Sequence, residues 1–152
     1  MNDGLKPEDV HVIADTREQK PYILNPFIVT RGTLETGDYS LAGFEDKVTI
    51  ERKSLPDFIG SISSGRARFE REIERMKTIP HRMILVEGSA NDIVGQHYRS
   101  RMHPNSIMGT IAKFQMLGIP VMLAGRREIA EDFAKRFLFL TQKHLLKNSC
   151  SL

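Results

Sequence analysis

One stretch, residues 37–57 (GDYSLAGFEDKVTIERKSLPD), constrains the fold of this chain more than any other. It predicts two strands joined by a turn near Gly43 to Asp46. Because side chains alternate along a strand, Glu51 and Lys53 stand on one face of the second strand. A turn at that position places Asp38 opposite them. The sequence therefore predicts that two acids and a lysine meet at one end of a two-stranded ribbon.

This cluster is compatible with two interpretations. Paired carboxylates bind a hard divalent ion such as Mg²⁺, which polarises a phosphate and makes a bound water nucleophilic. A lysine beside that water can orient it and offset charge that develops in the transition state. A surface hairpin with a solvated cross-strand ion pair uses the same residue types. The pattern by itself leaves both interpretations open.

The order of residues resembles the signature of the nuclease domain of the XPF-type structure-specific DNA endonucleases. That signature is Gly-Asp, a spacer, Glu-Arg-Lys, and an Asp four positions after the Lys. The chain has Gly37-Asp38, Glu51-Arg52-Lys53 and Asp57 in this order. The family also carries a β-type run followed by Asp-x-Arg-Glu, which Val10 to Asp15 and then Thr16-Arg17-Glu18 match. The resemblance covers roughly residues 10–145.

The resemblance implies a metal-dependent active site with divided roles. Asp38 and Glu51 are expected to bind the principal ion, and Asp15 and Glu18 to help hold a second one. Lys53 is expected to position the attacking water. The implied cofactor is Mg²⁺ or Mn²⁺, as one or two ions. From the residues alone, Asp15 also fits an acid that begins a turn or caps a helix.

Cationic side chains near these motifs are the expected phosphate contacts, since arginine binds phosphate and tyrosine can stack on an unpaired base. An ordinary turn between helices and a mobile polar loop explain some of the same residues. The candidates are Arg17, Arg52, Arg66, Tyr98, Arg99 and Arg101.

Two further acids are expected near the site without binding the metal. Asp57 follows Ser54-Leu-Pro, where Ser54 fits a helix N-cap and an acid in the first turn favours the positive helix end. Glu87 ends a buried strand that begins at Arg82. Both are predicted to support the residues that act directly.

The segment from Arg66 to Lys77 predicts a helix with a core stripe of Phe69, Ile73 and Met76. Its other residues alternate in charge, so Arg68 and Glu72 are predicted to form an i,i+4 ion pair. This charged side is interpreted as a solvated face in preference to a DNA surface.

The final helix is predicted to run from about Arg127 to Lys147 and is unusually apolar. Ile129, Phe133, Phe137 and Leu140 form its predicted stripe, widened by Ala130, Ala134, Leu138 and Leu145. Such a helix lies deep in a core or meets another protein. XPF-type nuclease domains pair through their last helices, so the resemblance implies a homodimer.

Composition fits a single globular domain over residues 1–147, with 148–152 expected to be a disordered tail. Charged residues make up 27% and hydrophobic ones 40%, and the net charge is +3. No apolar run approaches the ~20 residues of a membrane span. One cysteine, Cys150, cannot form an internal disulfide, which fits an intracellular location: cytoplasm or nucleoid, or a eukaryotic nucleus.

The alternation of strands and helices predicts an α/β sandwich with a mixed central sheet. The resemblance implies the restriction-endonuclease-like form of this three-layer fold. The leading hypothesis is a Mg²⁺- or Mn²⁺-dependent DNA endonuclease acting on branched or flap DNA in repair or recombination. A helicase or DNA-binding protein is an expected partner. The alternatives are a non-catalytic DNA-binding or scaffold subunit, and a nuclease of this fold that is indifferent to DNA structure.

Overall fold

In the computed structural model, which describes residues 4–149, six strands form one mixed sheet in the order β2-β1-β3-β4-β5-β6. Strand β3 is antiparallel to its neighbours β1 and β4, whereas the β1–β2, β4–β5 and β5–β6 pairs are parallel. The strands are β1 His11–Asp15, β2 Ile28–Gly32, β3 Tyr39–Leu41, β4 Val48–Ser54, β5 His81–Glu87 and β6 Val121–Leu123.

Within residues 4–149, five α-helices cover both faces of the sheet. One hydrophobic core lies between the sheet and α5, and a second lies between the sheet and α1, α2 and α4. The predicted three-layer α/β sandwich is therefore confirmed. The helices are α1 Leu55–Ile62, α2 Arg66–Met76, α3 Ala90–Val94, α4 Pro104–Met116 and α5 Arg127–Ser149, and a short 3₁₀ helix covers Pro7–Asp9.

The β3–β4 register agrees with the predicted turn, because Tyr39 pairs with Ile50 across the two strands. Alternation along β4 then sends Val48 and Ile50 into the core beneath α5. Glu51 and Lys53 point to the other face, toward α1 and α2.

Helix α5 buries three of the residues predicted to widen its apolar stripe, whereas the predicted stripe itself is not fully buried. Ala130, Ala134, Leu138 and Thr141 are its buried residues, whereas Leu140 is 61% exposed. The small residues Ala130 and Ala134, at i and i+4, let the helix lie close to the sheet, and its phenylalanines pack at the margins. The helix continues to Ser149, so part of the predicted tail is helical, while residues 150–152, including Cys150, lie outside the described residues. No helix within residues 4–149 is long and apolar enough to cross a membrane.

Candidate active site

A cavity of about 160 Å³ opens beside β3 and β4, and a groove of about 390 Å³ continues from it along α1 and α2. Asp38 and Glu51 line the cavity, and Lys53 lines the groove. Glu72 of α2 lines both, so it stands where they meet. The structure thus brings the three central residues of the predicted site into one cleft.

The backbone of β4 holds Asp38 in place. The Asp38 N–H donates to the Ile50 carbonyl at 2.8 Å, and Oδ2 of Asp38 accepts from the Arg52 N–H at 2.8 Å. The preceding residue, Gly37, has a φ of +79°. A Cβ at Gly37 would lie 1.9 Å from Oγ1 of Thr49, so only glycine permits this approach.

The acids of the cleft are buried together without full neutralisation. Burial raises the pKa of Asp38 to about 6, against the lowering effect of the Arg52 N–H and of Lys53. Burial, the charge of Asp38 and the nearby Glu72 carboxyl raise the pKa of Glu51 well above its usual value. Lys53 Nζ lies 3.7 Å from Oε1 of Glu51 and is the cation of the pair. The cleft therefore holds a surplus of negative charge.

Asp15 lies behind this cleft with its carboxylate fully used. Its Oδ1 accepts from Nε of Arg17 at 2.7 Å, and its Oδ2 accepts from the Leu34 N–H at 2.8 Å. The hydrogen bond from Arg17 is the main reason that the pKa of Asp15 falls to about 2. The side chain is completely buried, so its role here is to fix Arg17, which is 72% exposed and lines the cavity.

Glu18 and Glu87 bind opposite sides of the Arg52 guanidinium. Arg52 Nη1 donates to Glu18 at 2.9 Å and Nε donates to Glu87 at 2.6 Å. The guanidinium also lies 4.2 Å from the centre of the Tyr22 ring, and Tyr39 donates to Glu18 at 2.6 Å. Alternation along β4 explains this position, because Arg52 points toward α5 and away from the cleft.

Four of the predicted site residues already have protein partners. The guanidinium of Arg52 is enclosed by them, with its side chain 14% exposed, so in this arrangement it is not free to contact a phosphate. Asp15 and Glu18 each have an arginine partner. Glu87 binds Arg52 and Tyr22. The role of Asp15 and Glu18 at a second metal ion and the supporting role of Glu87 stay predictions.

The other predicted DNA contacts lie apart from the acids. Arg66 pairs with Glu70 on its own helix at 3.2 Å and does not line the groove. Tyr98 is half-buried against the α4 side, and its hydroxyl donates to the Met102 carbonyl at 2.8 Å, so it is not presented for stacking. The exposed residues Arg99 and Arg101 remain predicted contacts.

The start of α1 matches its predicted cap. Oγ of Ser54 accepts from the Asp57 N–H at 3.2 Å, which satisfies an N–H group of the first turn. The Asp57 side chain is exposed and lines the groove beside Lys53. Its position supports a role next to the site, as predicted.

The sequence interpretation missed Glu35, which lines the cavity, and three charged residues of α2. Arg68 lines the groove, Arg75 lines the cavity and Glu72 lines both. The predicted Arg68–Glu72 ion pair does not form within residues 4–149, where Oε2 of Glu72 is buried without a hydrogen-bond donor. Arg68, Glu72 and Arg75 are spaced at i, i+4 and i+7, and this spacing is the sequence signal that places them on one flank of the helix.

The donor set fits a divalent cation, although no three His, Cys, Asp or Glu side chains of the described chain are grouped as a complete metal cage. Mg²⁺ commonly takes one or two carboxylates and completes its shell with water and substrate phosphate. Asp38 and Glu51 supply that pair of carboxylates. Oε2 of Glu72, which is buried without a hydrogen-bond partner among the described residues, would further favour a bound cation.

Comparison with known proteins gives one consistent assignment. The family model for the ERCC4 domain matches residues 14–136. The solved structure of XPF from Aeropyrum pernix superposes with a TM-score of 0.70 at 25% identity, covering 86% of this chain and 61% of that one. The Methanocaldococcus jannaschii protein named “Putative ATP-dependent RNA helicase MJ1505” is 29% identical over 146 residues, which are 94% of this chain and 17% of that protein. The chain thus spans less than a fifth of this curated relative's length.

Proposed function

Because this chain belongs to the ERCC4 domain family and is an XPF-type nuclease domain with the restriction-endonuclease-like fold, we propose that it is a metal-dependent DNA endonuclease. The chain corresponds to 61% of the length of the XPF structure and 17% of the length of the Methanocaldococcus jannaschii protein. The activity is therefore proposed for this domain alone, on the basis of the residues in its own cleft.

The observation that carries the proposal is the meeting of Asp38, Glu51 and Lys53 in one cleft. The buried Glu51 and the half-buried Asp38, both with raised pKa values, attract a cation, and they stand beside an amine 3.7 Å from Glu51. A structural ion pair would need only one acid for Lys53. The second buried acid is the feature that a metal site explains and a surface hairpin does not.

Each residue of the cleft has a separate task in phosphodiester hydrolysis. Asp38 and Glu51 would hold Mg²⁺ or Mn²⁺, which supplies Lewis-acid activation of the phosphate and a more acidic water. Lys53 orients the attacking water and offsets negative charge that develops on the phosphate oxygens. Arg17, held by Asp15, presents a fixed guanidinium to the phosphate at the cavity side.

The substrate proposed is branched or flap DNA processed in repair or recombination, inside the cell. The resemblance to structure-specific endonucleases supports this choice. The helicase name of the archaeal relative supports a helicase or DNA-binding partner that brings the domain to its substrate.

We place the homodimer contact on the outer side of α5. Phe27, Phe139 and Leu140 line an apolar groove there with Pro7 and Pro26. Leu140→Glu should shift the protein from dimer to monomer in analytical ultracentrifugation, because a charge would be buried at the contact. Met116→Glu is the matched control, since Met116 is 74% exposed on α4. Monomeric wild-type protein would contradict the contact.

The cleavage test uses end-labelled duplex, splayed-arm and 3′-flap DNA with Mg²⁺, Mn²⁺ or EDTA. Cleavage should require the ion and should fall at least about 100-fold in Asp38→Asn and Lys53→Ala. Asp46→Asn and Lys47→Ala are matched controls, because this pair lies in the exposed β3–β4 turn. Binding without cleavage would favour a non-catalytic subunit, and cleavage of all substrates equally would favour a nuclease indifferent to structure.

Metal binding has a readout that does not depend on activity. Saturating Mn²⁺ should raise the melting temperature of wild-type protein by mass action and should leave Asp38→Asn nearly unchanged. Asp46→Asn should respond like wild type. An equal response in all three proteins would remove Asp38 from the metal site.

A further inference from the structure

One flank of α2 faces the cleft while the rest of the helix does not. With about 100° of rotation per residue, Phe69, Ile73 and Met76 form the buried side, and Arg71 points outward on the opposite side. Between these sides, positions 68, 72 and 75 share a flank. Those three residues line the cavity and the groove, with Glu72 in the middle.

The far flank of the helix is internally neutralised. Arg66 pairs with Glu70 at 3.2 Å, and Glu74 pairs with Lys77 at 2.8 Å, the latter just past the helix end. These i,i+4 and i,i+3 pairs are the ordinary arrangement of charges on a solvated helix. The charged side chains of these two pairs therefore neutralise one another.

The cleft flank departs from that arrangement. Glu72 has arginines four residues before it and three residues after it, yet it makes no ion pair with either within the described chain. Its carboxyl is turned toward Glu51, whose pKa it helps to raise after burial and Asp38. Arg68 and Arg75 therefore keep their charges available, one beside the groove and one beside the cavity.

The spacing of the two arginines fits a nucleic-acid strand. Seven residues of α-helix separate them by about 10 Å along the axis. A DNA strand advances about 3.4 Å per phosphate along its duplex axis, so this distance covers about three steps. Glu51, which would help to hold the metal, lies beside Glu72, the residue between the two arginines, and Asp38 lines the same cavity. A phosphate at those acids thus has neighbouring phosphates within reach of each guanidinium.

We propose that α2 is the track of the cleaved DNA strand, with Arg68 and Arg75 binding the phosphates on opposite sides of the scissile one. The groove along Ser61, Ser64 and Gly65 continues this path past Arg68. The inference rests on the proposed nuclease function and adds the direction of the strand and the two residues that hold it.

Binding is tested on 3′-flap DNA by fluorescence anisotropy, with Ca²⁺ replacing Mg²⁺. Arg68→Ala and Arg75→Ala should each weaken binding about tenfold, as expected for one charge-assisted hydrogen bond. Each should also lower the slope of log K against log salt by about 0.7 to 0.9. Arg71→Ala is the matched control and should change affinity less than about twofold, because it removes the same charge from the outward side.

A second measurement assigns each arginine to its own phosphate. A neutral methylphosphonate replaces the phosphate on one side of the cleavage position, then on the other. Each replacement should weaken wild-type binding about tenfold. At each position, one of the two alanine variants should show no further loss of affinity, because the arginine that contacts that phosphate is already absent. The insensitive variant at one position should be the sensitive variant at the other. Equal sensitivity of both variants at both positions would overturn the track.

The two proposals fail in different ways. If wild type cleaves the flap but Arg68→Ala and Arg75→Ala bind like Arg71→Ala, the track is wrong and the nuclease function stands. If wild type binds with the predicted pattern but never cleaves with Mg²⁺ or Mn²⁺, the nuclease function is wrong and the track stands as a binding site. Wild-type protein that binds no flap DNA overturns the track.

Discussion

The backbone N–H of Arg52 donates a 2.8 Å hydrogen bond to Oδ2 of Asp38, while the Arg52 side chain points to the opposite face of the sheet. One residue therefore fixes a cleft carboxylate through its backbone and joins Glu18 to Glu87 through its guanidinium. Burial would lower the pKa of Arg52, but its bonds to Glu87 and Glu18 outweigh that effect and raise it. Arg52 thus couples the cleft to the layer beneath α5.

Replacing Arg52 by Met should destabilise the fold by about 3 kcal/mol, because it leaves Glu18 and Glu87 as half-buried charges without their cationic partner. Urea denaturation in EDTA measures this loss. Arg126→Met is the matched control, since the Arg126–Glu128 pair is exposed and should contribute less than about 0.5 kcal/mol. Unchanged stability together with a smaller salt slope of DNA binding would restore Arg52 as a phosphate contact.

Gly37→Ala should destabilise the protein by more than Gly43→Ala. Both glycines have positive φ, at +79° and +83°, so each alanine carries a conformational penalty of about 1 kcal/mol. Only at Gly37 would the new Cβ meet Oγ1 of Thr49 and the Ile50 carbonyl. We expect about 2 kcal/mol of additional loss from that overlap, measured by urea denaturation. Equal losses in the two variants would show that the loop moves aside freely.

The Asp15–Arg17 pair should make stability depend on pH in the acid range. The pKa of Asp15 is lowered from 3.8 to about 2, chiefly by the hydrogen bond from Arg17. A lowered pKa in the folded state means that the unfolded chain takes up the proton first as pH falls. The stability from Asp15 is thus complete above about pH 4 and is lost as pH falls toward 2.

The measurement compares wild type with Asp15→Asn across this window. The variant should be less stable by about 2 kcal/mol at pH 7, because it replaces a charged acceptor of buried hydrogen bonds. The difference should shrink between pH 4 and 2. Asp46→Asn, in an exposed pair, should show neither effect. A difference that stays constant down to pH 2 would contradict the lowered pKa.

The limits of prediction from sequence follow from how local each signal is. The strand alternation around Glu51 and Lys53 and the Ser54 cap depend on neighbouring residues, and both are confirmed. The partners of Arg52 include Tyr22, which reaches the site from a loop that no periodicity describes. Sequence periodicity does not determine which ion-pair partner a charged side chain binds when several oppositely charged side chains lie within reach.

Helices show the same limit in two ways. The charges of α2 predict ordinary i,i+4 ion pairs. The Glu72 carboxyl instead faces Glu51, which β4 places beside it. In α5 the large residues suggested the buried stripe, but Ala130 and Ala134 face the sheet because small side chains permit close approach. Both corrections depend on the tertiary neighbour of the helix, which its own sequence does not contain.

Glu72→Gln should stabilise the metal-free protein by about 1 kcal/mol at pH 8, because it removes one of the four acids that line the same cavity. Urea denaturation in EDTA measures this gain in the free energy of unfolding. Saturating Mg²⁺ should make the difference between the variant and wild type smaller, because the bound ion supplies the missing positive charge. Glu74→Gln is the matched control on the same helix, since Glu74 pairs with Lys77 and its loss should cost up to about 0.5 kcal/mol. If Glu72→Gln destabilises the protein as much as Glu74→Gln or more, the Glu72 carboxylate is a structural partner and the negative surplus of the cleft is smaller than its geometry indicates.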